Sequence, residues 1–189
     1  MSKKIMFKDK YGLTRAVLER RKTQTRRLVP KDFFTLAWDK REDTLVYEND
    51  NGDFIDIRDS KYAIFKVGEI VAIAQRYSEI GIESFPFCEN GWNNKMFVKP
   101  NLMPHHIKIN DVKVERLQDI SDETSIKEGI RDYSTPNEKR YGYSDFMREE
   151  IVAFRTPREA FASLIDKVSG KGTWESNPYV FVYDFELVD

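Results

Sequence analysis

Every second residue from 179 to 187 is large and apolar: Tyr179, Phe181, Tyr183, Phe185 and Leu187. A period of two over that length specifies a β-strand with one face that water must not reach, so the row is core and not an exposed platform for stacking bases. The segment before it is the clearest helix in the chain. Thr156-Pro157-Arg158-Glu159 forms a capping box with proline at the first helical position, Ala160, Phe161, Leu164, Ile165 and Val168 make one apolar stripe, and Gly170 and Gly172 end it. Further upstream, Ile107 and Ile109 alternate in one phase and Val112 and Val114 in the other. The change at Asn110-Asp111 requires a bulge or turn, a device that bends a strand around a barrel.

The remaining elements are shorter. Ile5 to Phe7 can open as a strand, and Leu13, Ala16, Val17 and Arg20 fall at helical spacing across 10–21. Residues 45–47 and 54–57, joined by Asn49-Asp50-Asn51-Gly52, read as a hairpin, and 70–74 as a nearly all-apolar strand in a barrel wall. Ser121 caps a short helix with Asp122 and Glu123 in its first turn, which stops at Glu128-Gly129. Glu128 thus stands at the negative end of a helix, against its local preference, and calls for a cation partner. Residues 78–94 have no period and make a rim or lid loop, in which Phe85, Phe87 and Trp92 serve as burial anchors more readily than as stacking surfaces. Residues 133–146 are charged and turn-rich, a surface loop.

With 189 residues, 40% of them hydrophobic and 13% aromatic, the chain suits one globular domain, with peripheral excursions at about 38–60, 78–98 and 131–155. The single cysteine, Cys88, closes no internal disulfide, and with only His105 and His106 beside it the ligand count leads to an expectation of no metal and no other cofactor. The two histidines are assigned a structural or solvent role. No apolar run of signal-peptide or membrane-spanning length follows the first residues, so a cytoplasmic chain with no membrane partner is expected. A net charge of -1 argues against coating nucleic acid by charge alone.

Against that near-neutral balance, residues 20–31 hold six lysines or arginines and no acid. If 23–28 is a strand, Thr23, Thr25 and Arg27 share one face and Gln24, Arg26 and Leu28 the other. A face with two hydroxyls and a guanidinium is either solvated, as on a basic edge strand that resists aggregation, or lines a polar pocket.

Lys22-Thr23-Gln24-Thr25-Arg26-Arg27 matches the Lys-x-x-Thr-x-Arg signature of the ASCH domain family, a branch of the PUA-like β-barrels. Downstream, Met103-Pro104, the run from Val112 to Ile120, Glu128-Gly129 and Trp174-Glu175-Ser176-Asn177-Pro178-Tyr179-Val180 resemble, in order, motifs of the ASCH proteins common in phages and prophages. The resemblance spans most of the chain. It implies an α+β fold, a mostly antiparallel PUA-like barrel with a few flanking helices. The chain departs from the family in two places: Arg20 stands where a glycine is usual, which would hold a left-handed helix cap at a cost of roughly 1 kcal/mol, and Ala74-Gln75 replaces an Arg-Glu pair.

In the ASCH proteins that hydrolyse 4-acetylcytidine, a lysine and a threonine of the signature and a glutamate after the short helix form the active site. By resemblance these are Lys22, Thr25 and Glu128, with Arg26, Arg27, Gln75 and Arg76 as substrate contacts. Amide hydrolysis needs a nucleophile, a proton carrier and a holder for the oxyanion. Lys22 can act as a base only if burial and the neighbouring Arg26 and Arg27 lower its pKa. Glu128 would donate to the leaving amine or activate water, and Arg27 could hold the oxyanion; sequence leaves threonine attack and water attack both open. The expected partner is a modified nucleoside or an RNA base. The alternatives are a non-catalytic RNA-binding module using the same basic cleft, and a plain Lys22–Glu128 salt bridge pinning helix to strand.

Overall fold

The structure, a computed structural model, describes residues 3–30, 36–41, 44–49, 51–82 and 90–188. In chain order its elements are β1 (Lys4–Ile5), α1 (Leu13–Leu18), β2 (Gln24–Leu28), β3 (Leu36–Asp39), β4 (Thr44–Glu48), β5 (Phe54–Asp56), β6 (Ile70–Ile73), β7 (His106–Arg116), α2 (Asp122–Lys127), β8 (Arg131–Asp132), β9 (Tyr141–Asp145), β10 (Glu150–Phe154), α3 (Pro157–Ser169), α4 (Thr173–Ser176) and β11 (Tyr179–Leu187). The class is α+β. The main sheet runs β1-β6-β7-β11-β2, with β1 parallel to β6 and every other pair antiparallel.

The aromatic strand sits where its pattern requires. β11 lies between β7 and β2, and Val180 and Val182 on its second face are as buried as Phe181, Tyr183 and Phe185. The phase change in β7 is a bulge: Asp184 pairs with Asp111 and Phe185 with Ile109, which leaves Asn110 without a cross-strand partner in the register. Helix α3 has its capping box, with the Thr156 side chain accepting from the Glu159 N–H, and it buries Ala160, Phe161, Leu164 and Ile165.

Two outer regions differ from their sequence reading. The expected 10–21 helix is cut to Leu13–Leu18, because Gly12 takes φ +67° and divides it from a 3-10 turn at Asp9–Tyr11. The 133–146 segment, read as a surface loop, is one only as far as 140: Tyr141–Asp145 is β9, which with β8 and β10 forms an antiparallel sheet. At its centre Gly142 lets two backbones close up, since a Cβ there would stand 2.1 Å from the Val152 carbonyl oxygen. Tyr143 is buried in the main core and bonds Ser163 of α3 at 2.9 Å. The 45–57 hairpin forms as read and gains a third strand, β3. Trp92 packs on Ala72, Ala74, Tyr77, Val98 and Met103, a burial anchor; Phe85, Phe87 and Cys88 lie outside the described residues.

The sheet's two edges, β1 and β2, have no ladder between them among the described residues, so it is not closed into a barrel. They are nonetheless brought together: Arg27 Nη2 of β2 donates to the carbonyl of Met6, one residue past β1, at 2.9 Å. The space between these edges, roofed by α3, holds a cavity.

Candidate functional site

Three local devices deliver the signature residues to that cavity. Helix α1 ends in a Schellman motif: Arg20 takes φ +59°, its N–H donates to the Val17 carbonyl and the Arg21 N–H to that of Ala16. The left-handed position is held by an arginine and not by a glycine. Helix α2 begins at Ser121, whose side chain accepts from Thr124 N–H, and ends at Glu128 with Gly129 at φ +105°. A Cβ on Gly129 would press on Leu13 at 3.3 Å and touch Lys22 at 3.5 Å. Finally, the Thr23 N–H donates to the Lys127 carbonyl at 2.9 Å, which seats the end of α2 against the start of β2.

The result is a buried charge cluster. Lys22, 2% exposed, donates from Nζ to Glu128 Oε2 at 2.6 Å, to the Glu128 carbonyl at 2.8 Å and to the Gln24 carbonyl at 2.7 Å. Its three N–H bonds are all accepted. The other carboxylate oxygen of Glu128 accepts from Arg26 Nη1 at 2.9 Å, and Arg26 also grips Glu115 Oε1 from Nε and Nη2 at 2.9 and 2.7 Å. The cation partner called for by an acid at a helix C-terminus is therefore two cations. Burial pushes the Lys22 amine below its ordinary value; Glu128 opposes the shift, while Arg27 and Arg26 add to it.

All three resemblance-derived catalytic residues border one cavity of about 640 Å³, whose walls also include Arg26, Arg27, Arg76 and Lys95. Its apolar side comes from Phe7 and from Phe161, Leu164, Ile165 and Val168 of α3. Because β2 is an edge strand, the hollow wraps around its free side and receives groups from both of its faces. Thr25 is buried on the wall and its hydroxyl makes no hydrogen bond among the described residues. Arg76 reaches the cavity and pairs with Glu79 at 2.5 Å.

Gln75 does not reach the cavity. Adjacent residues of an extended chain point opposite ways, so where Arg76 faces the hollow, Gln75 lines a different cleft beside Thr14 and Phe146, its backbone N–H donating to Met103 Sδ at 3.3 Å. Sequence reasoning missed Glu115 and the α3 wall. Glu115 was legible as the polar phase of β7: it pairs in register with Val180, two residues along β11 from the Val182 that opposes Arg26.

Among the described residues no three His, Cys, Asp or Glu side chains are grouped to hold a metal ion, and no helix is long and apolar enough to cross a membrane. A scan against protein-family models and searches of curated proteins and of solved structures found no match to this chain.

Proposed function

We propose that the cavity binds a modified nucleoside or RNA base and that Lys22, Thr25 and Glu128 hydrolyse an amide on it, with 4-acetylcytidine-like nucleosides as the substrate class and a PUA-like, ASCH-type fold around the site. The comparisons lend the family resemblance no support, so the reading rests on one observation: an ammonium, a hydroxyl and a carboxylate from segments a hundred positions apart line the same hollow. The cavity's mixed walls, apolar with a few convergent polar groups, are those of a small-molecule site.

The geometry favours water as the nucleophile. Thr25 bonds to neither Lys22 nor Glu128, so neither is placed to take its proton, whereas the Glu128 carboxylate has lone pairs left after accepting from Lys22 and Arg26. Glu128 takes a proton as water attacks the acetyl carbon, the Thr25 hydroxyl donates to the developing oxyanion, and the proton passes to the departing cytosine amine as the C–N bond breaks, releasing acetate. Lys22 holds the carboxylate in place throughout. Incubation of the purified protein with 4-acetylcytidine, followed by acetate release, tests this. Lys22→Ala and Glu128→Ala should each abolish turnover and Thr25→Val should lower it; turnover that survives both alanine variants unchanged removes these residues from the mechanism.

A binding-only reading is favoured by the saturation of Lys22, since an ammonium with three acceptors already satisfied serves well as a pin between α2 and β2. It anticipates nucleoside or RNA binding without acetate release, with a steep loss of affinity on adding salt if RNA is the ligand.

A further inference from the structure

The charges of the cavity do not balance. Each acid near it already serves a cation: Glu128 serves Lys22 and Arg26, Glu115 serves Arg26, Glu79 serves Arg76, and Asp9 serves Lys95. Lys10 has Asp145 at 3.7 Å. Two cations of the wall, Arg27 and Lys8, have no acidic partner among the described residues. Lys8 is exposed on the cavity's flank, and for it solvent suffices. Arg27 is different. It is half-buried between the sheet edges, burial lowers its pKa, and among the described residues its one hydrogen bond runs from Nη2 to the Met6 carbonyl, which leaves most of its donor fork open. Glu128 attracts this guanidinium without pairing with it, and because Arg27 lines the hollow its remaining donors are there for an anion to meet.

We propose that the ligand of this cavity carries a phosphate monoester seated on Arg27, so that the substrate is a nucleoside monophosphate and not a free nucleoside. The proposal rests on the nucleoside-pocket reading above for the identity of the rest of the ligand. A planar donor fork suits phosphate oxygens, and a monoester, carrying roughly -1.5 to -2 at neutral pH, brings Arg27 more charge and more free oxygens than the single charge of a backbone phosphodiester. The polar end of such a ligand would lie against β2 and the segment after β1, with the base against the apolar α3 wall.

The test is calorimetric titration of the full chain with cytidine, cytidine 5′-monophosphate, ribose 5-phosphate and a short oligocytidine RNA. The monophosphate should bind tighter than cytidine by roughly ten- to a hundredfold, the range for a charge-assisted hydrogen-bonded contact. In Arg27→Gln that ratio should collapse to within about threefold, and Arg27→Lys should keep an intermediate ratio. Equal binding of cytidine and its monophosphate overturns the proposal and leaves the nucleoside reading standing, and it needs no variant to be seen. A ratio unchanged in Arg27→Gln, or an oligonucleotide preferred over the monophosphate, also overturns it. Ribose 5-phosphate binding as tightly as the nucleotide through Arg27, with no binding of cytidine, sustains the anion seat and removes the base pocket.

Discussion

Glu128→Gln isolates what the buried cluster contributes. The substitution preserves shape and keeps an amide oxygen to accept one Lys22 N–H, while Lys22 retains its two backbone carbonyls and Arg26 retains Glu115. What is lost is the only acid paired with Lys22, whose side chain is 2% exposed. Removing one partner of a buried pair costs about 3–5 kcal/mol; with the surviving bonds the lower end applies, about 3 kcal/mol, or about 6–12 °C in Tm for a chain of this size.

The loss depends on pH, and its sign follows from the direction of the Lys22 shift. Burial already holds the amine below the ordinary value of 10.5, and Glu128 is the main influence raising it. Without Glu128 the folded-state pKa falls further. Between that value and 10.5 the unfolded chain binds more protons than the folded one, so this group's contribution to stability grows as pH rises. The window opens at lower pH in the variant, so its deficit against the wild type narrows with rising pH, by at most about 1.4 kcal/mol per unit. Urea unfolding of both proteins, extrapolated linearly at several values from about pH 6 to about pH 9.5, measures it. A deficit under about 1 kcal/mol near neutrality, or one that widens with pH, refutes the assignment of a charged, buried Lys22 dependent on Glu128. The double variant Lys22→Met/Glu128→Leu should recover most of the loss, because the uncompensated charge goes with its partner.

Three further outcomes follow from the same geometry. Arg20→Gly should stabilise the chain by roughly 0.5–1 kcal/mol, because it relieves a left-handed residue at the end of α1 and gives up only the exposed Arg20 Nη1 bond to the Leu187 carbonyl, as read by thermal unfolding. Gly129→Ala should cost about 1–2 kcal/mol, read by thermal unfolding, through its positive φ and the close approach of the new methyl to Leu13. Gln75→Ala should leave ligand affinity within about twofold of wild type in a titration, whereas a change near tenfold would show that Gln75 faces the ligand after all.

The parts of this fold that could be read in advance are those whose local signals agree. β11 has its alternation, α3 its capping box and stripe, and α2 its Ser121 cap and Gly129 stop; all three stand where the pattern put them. The 131–154 sheet was hidden because its strands are only two to five residues long, and Gly142 marks a close approach to Val152 that only the partner strand reveals. Gly12 falls inside the expected 10–21 helix, and nothing in that spacing signals that the ring of Phe146, 134 positions on, stands 3.0 Å from where its Cβ would be. For the site, the triad came from motif resemblance and its convergence came from topology. The α3 stripe could not announce that it borders a hollow, since Leu164 and Ile165 show the same period whether they pack on a core or line a cavity.

That hollow is open for an electrostatic reason. An edge strand with a free side invites either pairing with another chain or collapse of neighbouring side chains onto it. Here the hollow beside β2 is lined by Arg26 and Arg27 of the strand and by Lys22 just before it, and closing the gap to β1 would bury Arg27 with one carbonyl bonded to it among the described residues. Apolar side chains from α3 can approach but cannot satisfy that guanidinium, so filling the space would exchange a modest hydrophobic gain for an uncompensated charge. Lys22 and Arg26, by contrast, are fully met by Glu128, Glu115 and main-chain carbonyls, and they hold the floor rigid. On the proposed reading, the paired Lys22 and Arg26 are the scaffold that would fix where a ligand sits, and Arg27, with no acid bonded to it among the described residues, would fix the charge that ligand must bring.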